Sequence, residues 1–356
     1  MHGRMGKWEG CLPFIHSSML QFILPVFQPS ILPPFRRIGA AFVAFVSRGA
    51  YCFEEMPGYN GEEQFTPCAV RAGTAYRGSA LKFGIISDLH LGHAGDGHWH
   101  NRLLYDQAET IAHAAVEALN GQDLDAVFVL GDITQAGEER QLLQAREILS
   151  GLEASWFVLP GNHDRAAVCS GLFDRVFRGR QVPEFILHNG MVVAGLREQA
   201  PEPGEQPDAY RLDPRKATAF LEQLERSLAG TLLLFSHIPL VDGAAWAEAH
   251  AGKDAGCFEN GEAFLTRAAG MVEGVTAAFS GHQHWHQITA GLAWTHCTTA
   301  ALIEFPMEMR LVTLEGDRLQ IDTLAVADTL AQSSLNGAEW VRGRAEDRRA
   351  AYVLQH

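Results

Sequence analysis

From Leu81 onward, short and almost wholly apolar runs alternate with longer segments in which apolar residues recur every three or four positions. The first kind reads as strands buried on both faces, the second as amphipathic helices. Lys82 to Ser87 (KFGIIS), Asp125 to Leu130 (DAVFVL) and Trp156 to Leu159 (WFVL) are the first three predicted strands. Between them, Asp106 to Leu119 sets Ile111, Ala115 and Leu119 on one helical face, with Gly121 as a stop signal. Glu138 to Leu149 repeats the pattern with Leu142, Ile148 and Leu149. This alternation predicts an α/β fold with a mainly parallel inner sheet and right-handed crossovers.

The pattern then changes. Phe185 to Leu196 reads as a hairpin, because Asn189-Gly190 is a favoured two-residue turn between apolar runs. Pro201 to Pro207 is expected as an exposed loop, Pro214 to Leu228 as an amphipathic helix and Thr231 to Phe235 as a strand. Residues 242 to 262 are rich in Gly and Ala with little period and suit a flap over a site. Val275 to Phe279 is another buried strand. Ala300 to Phe305, Met309 to Leu314 and Arg318 to Leu324 are predicted strands, the last two joined through Glu315-Gly316-Asp317, so a second sheet with antiparallel pairing is expected. The expected division is an extension over 1–79, a domain over 80–330 and a charged tail over 331–356, with a helix candidate from Asn336.

Residues 1–79 are dense in Pro and Phe and keep no period. Prolines 13, 25, 29, 33 and 34 cut their apolar runs well short of the roughly 20 residues a bilayer crossing needs, so no membrane anchor is expected. Arg4 and Lys7 precede an apolar stretch but no small-residue cleavage site follows. A cytoplasmic protein is expected, with export as the alternative if this segment is a targeting signal.

The net charge of −14, from 28 basic against 42 acidic residues without a Lys/Arg block, argues against nucleic acid or anionic lipid as partners. Six scattered cysteines without a C-x-x-C pair fit neither a zinc ribbon nor a disulfide framework and read as reduced thiols. Sixteen histidines are more telling, because several cluster at strand ends.

Five strand ends offer Asp88 and His90, then Asp132, then Asn162 and His163, then His237, then His282 and His284. For one strand-end histidine, a structural hydrogen-bonded role is as good an explanation as ligation. Together, two carboxylates, an amide and this many imidazoles exceed one tetrahedral ion but suit two adjacent ones, with Asp132, alone at its strand end, as the bridge. In Asp88-x-His90 and His282-x-His284 the single spacer separates same-side residues of an extended chain, so each pair can face one pocket. Mixed imidazole and carboxylate donors favour Mn, Fe, Zn or Co over an all-oxygen Ca or Mg cage.

The joint order D-x-H, G-D, G-N-H-D, H, G-H-x-H, carried by Asp88/His90, Gly131/Asp132, Gly161 to Asp164, His237 and Gly281 to His284, resembles the calcineurin-like metallophosphoesterases over roughly residues 82 to 325. The resemblance implies a four-layer α/β/β/α sandwich of two mixed sheets flanked by helices, with a binuclear metal site at strand carboxyl ends. It further implies one ion held by Asp88, His90, Asp132 and His284 and another by Asp132, Asn162, His237 and His282. The implied chemistry is attack of a metal-bridging hydroxide on a phosphoester, with catalytic His163 bonding the phosphoryl oxygens or protonating the leaving group. Asp164 orients His163 or caps the following helix.

The protein phosphatases of that family carry an Asp-Arg pair soon after G-D, whereas Gly131 to Gly137 (GDITQAG) has none. The motif form is nearer to bacterial class III cyclic-nucleotide and glycerophosphodiester phosphodiesterases, so a small phosphodiester is the expected substrate. Ser87 to Gly92 also resembles the nucleases and lipid-sugar pyrophosphatases of the family, which stand as alternatives. A non-catalytic metal-binding scaffold is the alternative of another class. The expected partner is a small phosphoester; the sequence leaves the oligomeric state open. Around the motifs, His93, His98, His100 and His286 line the pocket or sit on the surface, and Trp99 and Trp285 form an aromatic wall or ordinary packing. Arg165 steadies a phosphate or solvates a helix start; His113 and His250 are expected to be exposed.

Overall fold

In the computed structural model, residues 80–92, 95, 97–198, 210–243 and 256–353 are described. The extension over 1–79, the loop Pro201 to Pro207, most of the expected flap, His93 and His250 lie outside them.

The short hairpin of β2 (Gly97–His98) and β3 (Arg102–Leu103) and the short helices α3 (Arg165–Cys169) and α4 (Leu172–Val176) lie outside the two six-stranded sheets that form the centre of the domain. The first runs β14 (Ala350–Val353), β13 (Arg318–Ala325), β12 (Glu308–Glu315), β1 (Leu81–Ile86), β4 (Ala126–Leu130) and β5 (Ser155–Leu159). Its strands β1, β4 and β5 are parallel, as the helical crossovers α1 (Ala108–Asn120) and α2 (Glu139–Leu149) require. The second runs β10 (Gln287–Ala290), β11 (Thr295–Thr298), β9 (Thr276–Ser280), β8 (Thr231–Ser236), β7 (Met191–Leu196) and β6 (Ile186–His188), with β7, β8, β9 and β11 parallel. Asn189 and Gly190, both at positive φ, make the β6–β7 turn as their sequence predicts.

The period-two alternation of the buried strands sorts their side chains into layers. Phe83, Phe128, Phe235 and Phe279 point between the sheets and meet there, the Phe128 and Phe235 rings stacked at 4.0 Å. Each buried ring of this kind stabilises the sandwich by about 1.5–3 kcal/mol. Val127 and Val129 on the opposite face of β4 pack with Ile111, Ala115, Leu142 and Ile148 of the helices. Leu232 and Leu234 on β8 pack with α5 (Pro214–Ser227) and α6 (Gly261–Ala269) through Leu224, Phe264 and Leu265. The result is the expected four-layer α/β/β/α arrangement.

Several elements differ from the sequence reading. The hairpin of β12 and β13 joins the first sheet beside β1 rather than founding the second. Ala300 to Phe305 is no strand: it is a buried connection whose Leu302 N–H donates to the Ser87 carbonyl, so its apolar run reflects depth, not extension. The threonine-rich strand β11, its neighbour β10 and helix α6 went unpredicted. Beyond Asn336 the chain forms a 3-10 turn (Glu339–Arg342), a single helical turn (Ala345–Arg348) and β14, which pairs with β13. Ion pairs from Arg342 and Arg348 to buried Glu308 tie this segment down. No helix among the described residues is long and apolar enough to cross a membrane.

Candidate metal centre

The carboxyl ends of β1, β4, β5, β8 and β9 converge, and every motif residue singled out as a ligand lies in the turn directly after one of them. These turns interlock through backbone bonds, from Asp88 N–H to the Gly131 carbonyl, His90 N–H to the Asp132 carbonyl and Gly281 N–H to the His237 carbonyl. Two motif glycines are dictated by contact. A Cβ on Gly161 would lie 2.1 Å from Oδ1 of Asp132, and one on Gly281 would lie 1.8 Å from Oγ of Ser87.

Asp88 and His90 face one site, but not as same-side residues of an extended chain. Both lie past the end of β1 at φ 57° and 46°, and His282 and His284 likewise lie past β9 at 69° and 60°. Left-handed turns, rather than strand alternation, aim each pair.

Three groups of donor atoms result: Asp88/His90/His284 and Asp132/His237/His282, the first and second clusters, and His90/Asp132/His163, which overlaps both. Oδ1 of Asp88 lies 3.3 Å from Nε2 of His284, and Oδ2 of Asp132 lies 3.2 Å from Nε2 of His237 and 3.8 Å from Nε2 of His90. Oδ1 of Asn162 lies 3.0 Å from Nε2 of His237, which adds the amide to the second cluster. Asp132 thus lies beside histidines of both clusters.

The outer nitrogens of the imidazoles are already committed. Nδ1–H of His237 donates to the Leu130 carbonyl at 2.7 Å, that of His90 to Oε1 of Gln135 at 2.7 Å and that of His284 to Oε1 of Glu304 at 2.7 Å. Each bond holds the ring with Nε2 turned into the site, the orientation metal-ligating histidines adopt. Nε2 of His90 and Nε2 of His284 face one another at 3.4 Å, and buried Oδ1 of Asp88 lies 3.3 Å from the latter. Ring nitrogens turned toward one another beside a buried carboxylate suit a cation between them, so the residues fit two metal ions.

The charges respond accordingly. Burial pulls His237 down, yet the Asp132 carboxylate outweighs it and raises its pKa to about 9. Burial likewise opposes His284, but Asp88 and the bonds to Asp88 and Glu304 lift it to about 10. Burial dominates for His90 and His282, lowered to about 4 and about 3. Against burial, the His284 charge and hydrogen bond hold Asp88 down at about 2, and His237 with His90 holds Asp132 well below the carboxylate range.

His163 shares the overlapping group with His90 and Asp132, its ring 4.8 Å from that of His90. Its backbone N–H donates to Oδ1 of Asp132 at 2.8 Å and its Nδ1–H to the Gln135 carbonyl at 3.0 Å. Asp164 behaves differently from its expected roles. Its side chain neither caps the following helix nor bonds His163; fully buried, it accepts hydrogen bonds from the N–H groups of Ile133, Thr134 and Gly161 and from Oγ1 of Thr134. It fastens the Asp132 turn to the Gly161 turn, and burial beside Asp132 raises it to about 6.

The neighbours sort themselves out. His286 is fully buried, against both readings of it, with Nδ1 accepting from Ala300 N–H. His100 is buried under Trp285 and Trp340, and exposed His98 bonds Asn336. His113 is exposed as expected. Trp285 is core packing, whereas Trp99 lies 6.4 Å from the His284 ring. Arg165 is engaged by Glu198 through two hydrogen bonds. Sequence reasoning missed Gln135, Glu304 and Tyr210, whose ring lies 5.0 Å from that of His282. Only Glu304 left a signal, a lone charge in an apolar run that burial obliges to find a partner.

The model of the calcineurin-like phosphoesterase family matches residues 81–286. A Rhodopseudomonas palustris protein named as a probable cyclic nucleotide phosphodiesterase is 30% identical over 173 residues, which are 46% of this chain and 58% of that protein. This chain therefore spans 58% of the length of that curated relative. A dimetal phosphatase of Danio rerio shares the fold with a TM-score of 0.51 at 16% identity, over 68% of this chain and 95% of its own.

Proposed function

We propose that this chain, which belongs to the calcineurin-like phosphoesterase family, hydrolyses a small phosphodiester, with cyclic nucleotides as the leading substrate class. The observation that carries the reading is the pair of donor clusters overlapped by the group of His90, Asp132 and His163. Asp88, His90, Asp132 and His284 would hold one divalent ion, and Asp132, Asn162, His237 and His282 the other, with Mn, Fe, Zn or Co suited to such mixed donors. Two ions so held supply Lewis acidity toward phosphoryl oxygens and a nucleophile at neutral pH.

The chain's own groups orient and protonate. With Nδ1–H of His163 given to the Gln135 carbonyl, Nε2, when it carries a second proton, is the atom that donates to a phosphoryl oxygen or passes that proton to the departing alkoxide. Tyr210 and Trp99 beside His282 and His284 offer aromatic faces to the substrate's organic part. Two features support a diester over a monoester. Arg165, two positions beyond His163, has its charge answered by Glu198, which suits a singly charged diester better than a dianion. The curated relative's name points the same way.

The test is hydrolysis of bis(p-nitrophenyl) phosphate and p-nitrophenyl phosphate by metal-stripped protein resupplied with Mn, beside Asp132→Asn. Diester-selective turnover that needs Mn and vanishes in the variant is expected; preference for the monoester, or turnover untouched by Asp132→Asn, would overturn the reading.

A further inference from the structure

Glu304 is a carboxylate that the family match does not reach, since it lies beyond residues 81–286. It is fully buried in the connection between β11 and β12. A buried carboxylate is costly unless its oxygens are answered, and both are. Oε1 accepts the 2.7 Å hydrogen bond from Nδ1–H of His284, and Oε2 accepts a 2.8 Å bond from the backbone N–H of Asn101. Asn101, itself fully buried, is fixed in turn: its Oδ1 accepts from the N–H groups of Asn336 and Ala338, and its Nδ2 donates to the Ala338 carbonyl. The line from His284 through Glu304 and Asn101 therefore ends in the segment that leads into β14. His90 reaches only a neutral amide, Gln135, and His237 only a backbone carbonyl.

We propose that Glu304 is a positioning residue for the metal centre: its carboxylate holds His284 with Nδ1 protonated and Nε2 aimed inward, and strengthens that nitrogen as a donor, while Asn101 anchors it to the C-terminal segment. A carboxylate behind an imidazole makes the ring a stronger base toward a cation than an amide or a carbonyl does. The two clusters are therefore unequal, and the one containing His284 draws part of its affinity from chain outside the motifs. The inference rests on the reading of the site as a metal centre, but not on the substrate.

Full-length protein stripped of metal is titrated with cobalt(II), whose visible absorption reports the ligands at each position. Glu304→Gln is expected to weaken one of two uptake steps by about 10- to 100-fold and to shift that step's absorption, leaving the other step unchanged. Glu304→Asp, which keeps the charge, is expected to recover much of both. Two steps and a spectrum like those of the unsubstituted protein in Glu304→Gln would overturn the proposal, and so would equal weakening of both steps. Should the variants fail to fold, nitrogen-15 spectra of the zinc-loaded protein decide: His284 must show a protonated Nδ1, and a protonated Nε2 overturns the proposal. Protein that takes up no cobalt would refute the metal reading itself, whereas protein that loads cobalt but cleaves no diester leaves this inference standing.

Discussion

Loading the centre with metal should expel protons, and the structure says how many. In metal-free protein His237 and His284 have pKa values of about 9 and about 10, so both are cationic at pH 7, while His90 at about 4 and His282 at about 3 are neutral. Asp88 and Asp132 are already ionised and have nothing to release. A metal ion needs the Nε2 lone pairs of His237 and His284, so two protons must leave. At about 1.4 kcal/mol per pH unit, removing them at pH 7 costs about 3 and about 4 kcal/mol, which ion binding must offset. Apparent affinity for the pair of ions should therefore rise on the order of 100-fold per pH unit below pH 9. Calorimetric titration with Mn in buffers of different ionisation enthalpy counts the protons; ionisation of a water would add to the count and never subtract. The sign for stability follows from pKa values raised above the unfolded 6.5: what these two groups contribute is complete below pH 6.5 and lost as pH rises through 9 and 10. The melting temperature of stripped protein should fall across that window. Release of fewer than one proton at pH 7, or affinity that is flat from pH 6.5 to roughly 8.5, would refute the argument.

Gly161→Ala would place a methyl 2.1 Å from Oδ1 and 2.2 Å from the backbone nitrogen of Asp132, so the shared carboxylate must move. Both metal ions should be lost on dialysis while the circular dichroism spectrum stays native, because the strain, about 1–3 kcal/mol, is local; retention of two ions would contradict the contact. Asp164→Ala strips the acceptor from three buried N–H groups, at about 1–3 kcal/mol each, set against relief of burying its charge beside Asp132. Urea denaturation should show the fold weakened, and an unchanged midpoint would mean that the two turns are held together by other means.

Most of the fold and nearly all of the candidate site were legible in the sequence because both rest on periodic or invariantly local signals. Buried parallel strands announce themselves as apolar runs, and the candidate ligands follow within four residues of the strand ends. What escaped is non-local. Thr295–Thr298 is an interior strand made of Thr, His and Cys, a composition without an apolar run to announce it. Ala300 to Phe305 imitates a strand because deep connections and strands are equally apolar. Asp164 looked like a cap and partner for its neighbours, yet its four donors come from Gly161 and from thirty residues upstream. Gln135 and Glu304 touch the centre only through the histidines they hold, and no spacing rule marks such residues.

Five of the seven candidate ligands, Asp88, His90, Asp132, His282 and His284, stand at positive φ, where an L-residue with a side chain is strained by about 1–3 kcal/mol. None is glycine; Asp and His tolerate this backbone better than most residues, but it still has to be imposed. The strain persists because each turn is held by another: His282 N–H donates to Oδ2 of Asp88, His163 N–H to Oδ1 of Asp132, and Leu91 N–H to the Ile133 carbonyl. Asp88 and Asp132 therefore carry two tasks, one oxygen fixing a neighbouring turn and the other facing the imidazoles. A substitution at either removes a donor to metal and a strut together. The bonds that impose the strained turns are made within the chain and involve no ion. Ions held as proposed would cost the proton release worked out above, but little rearrangement of the backbone.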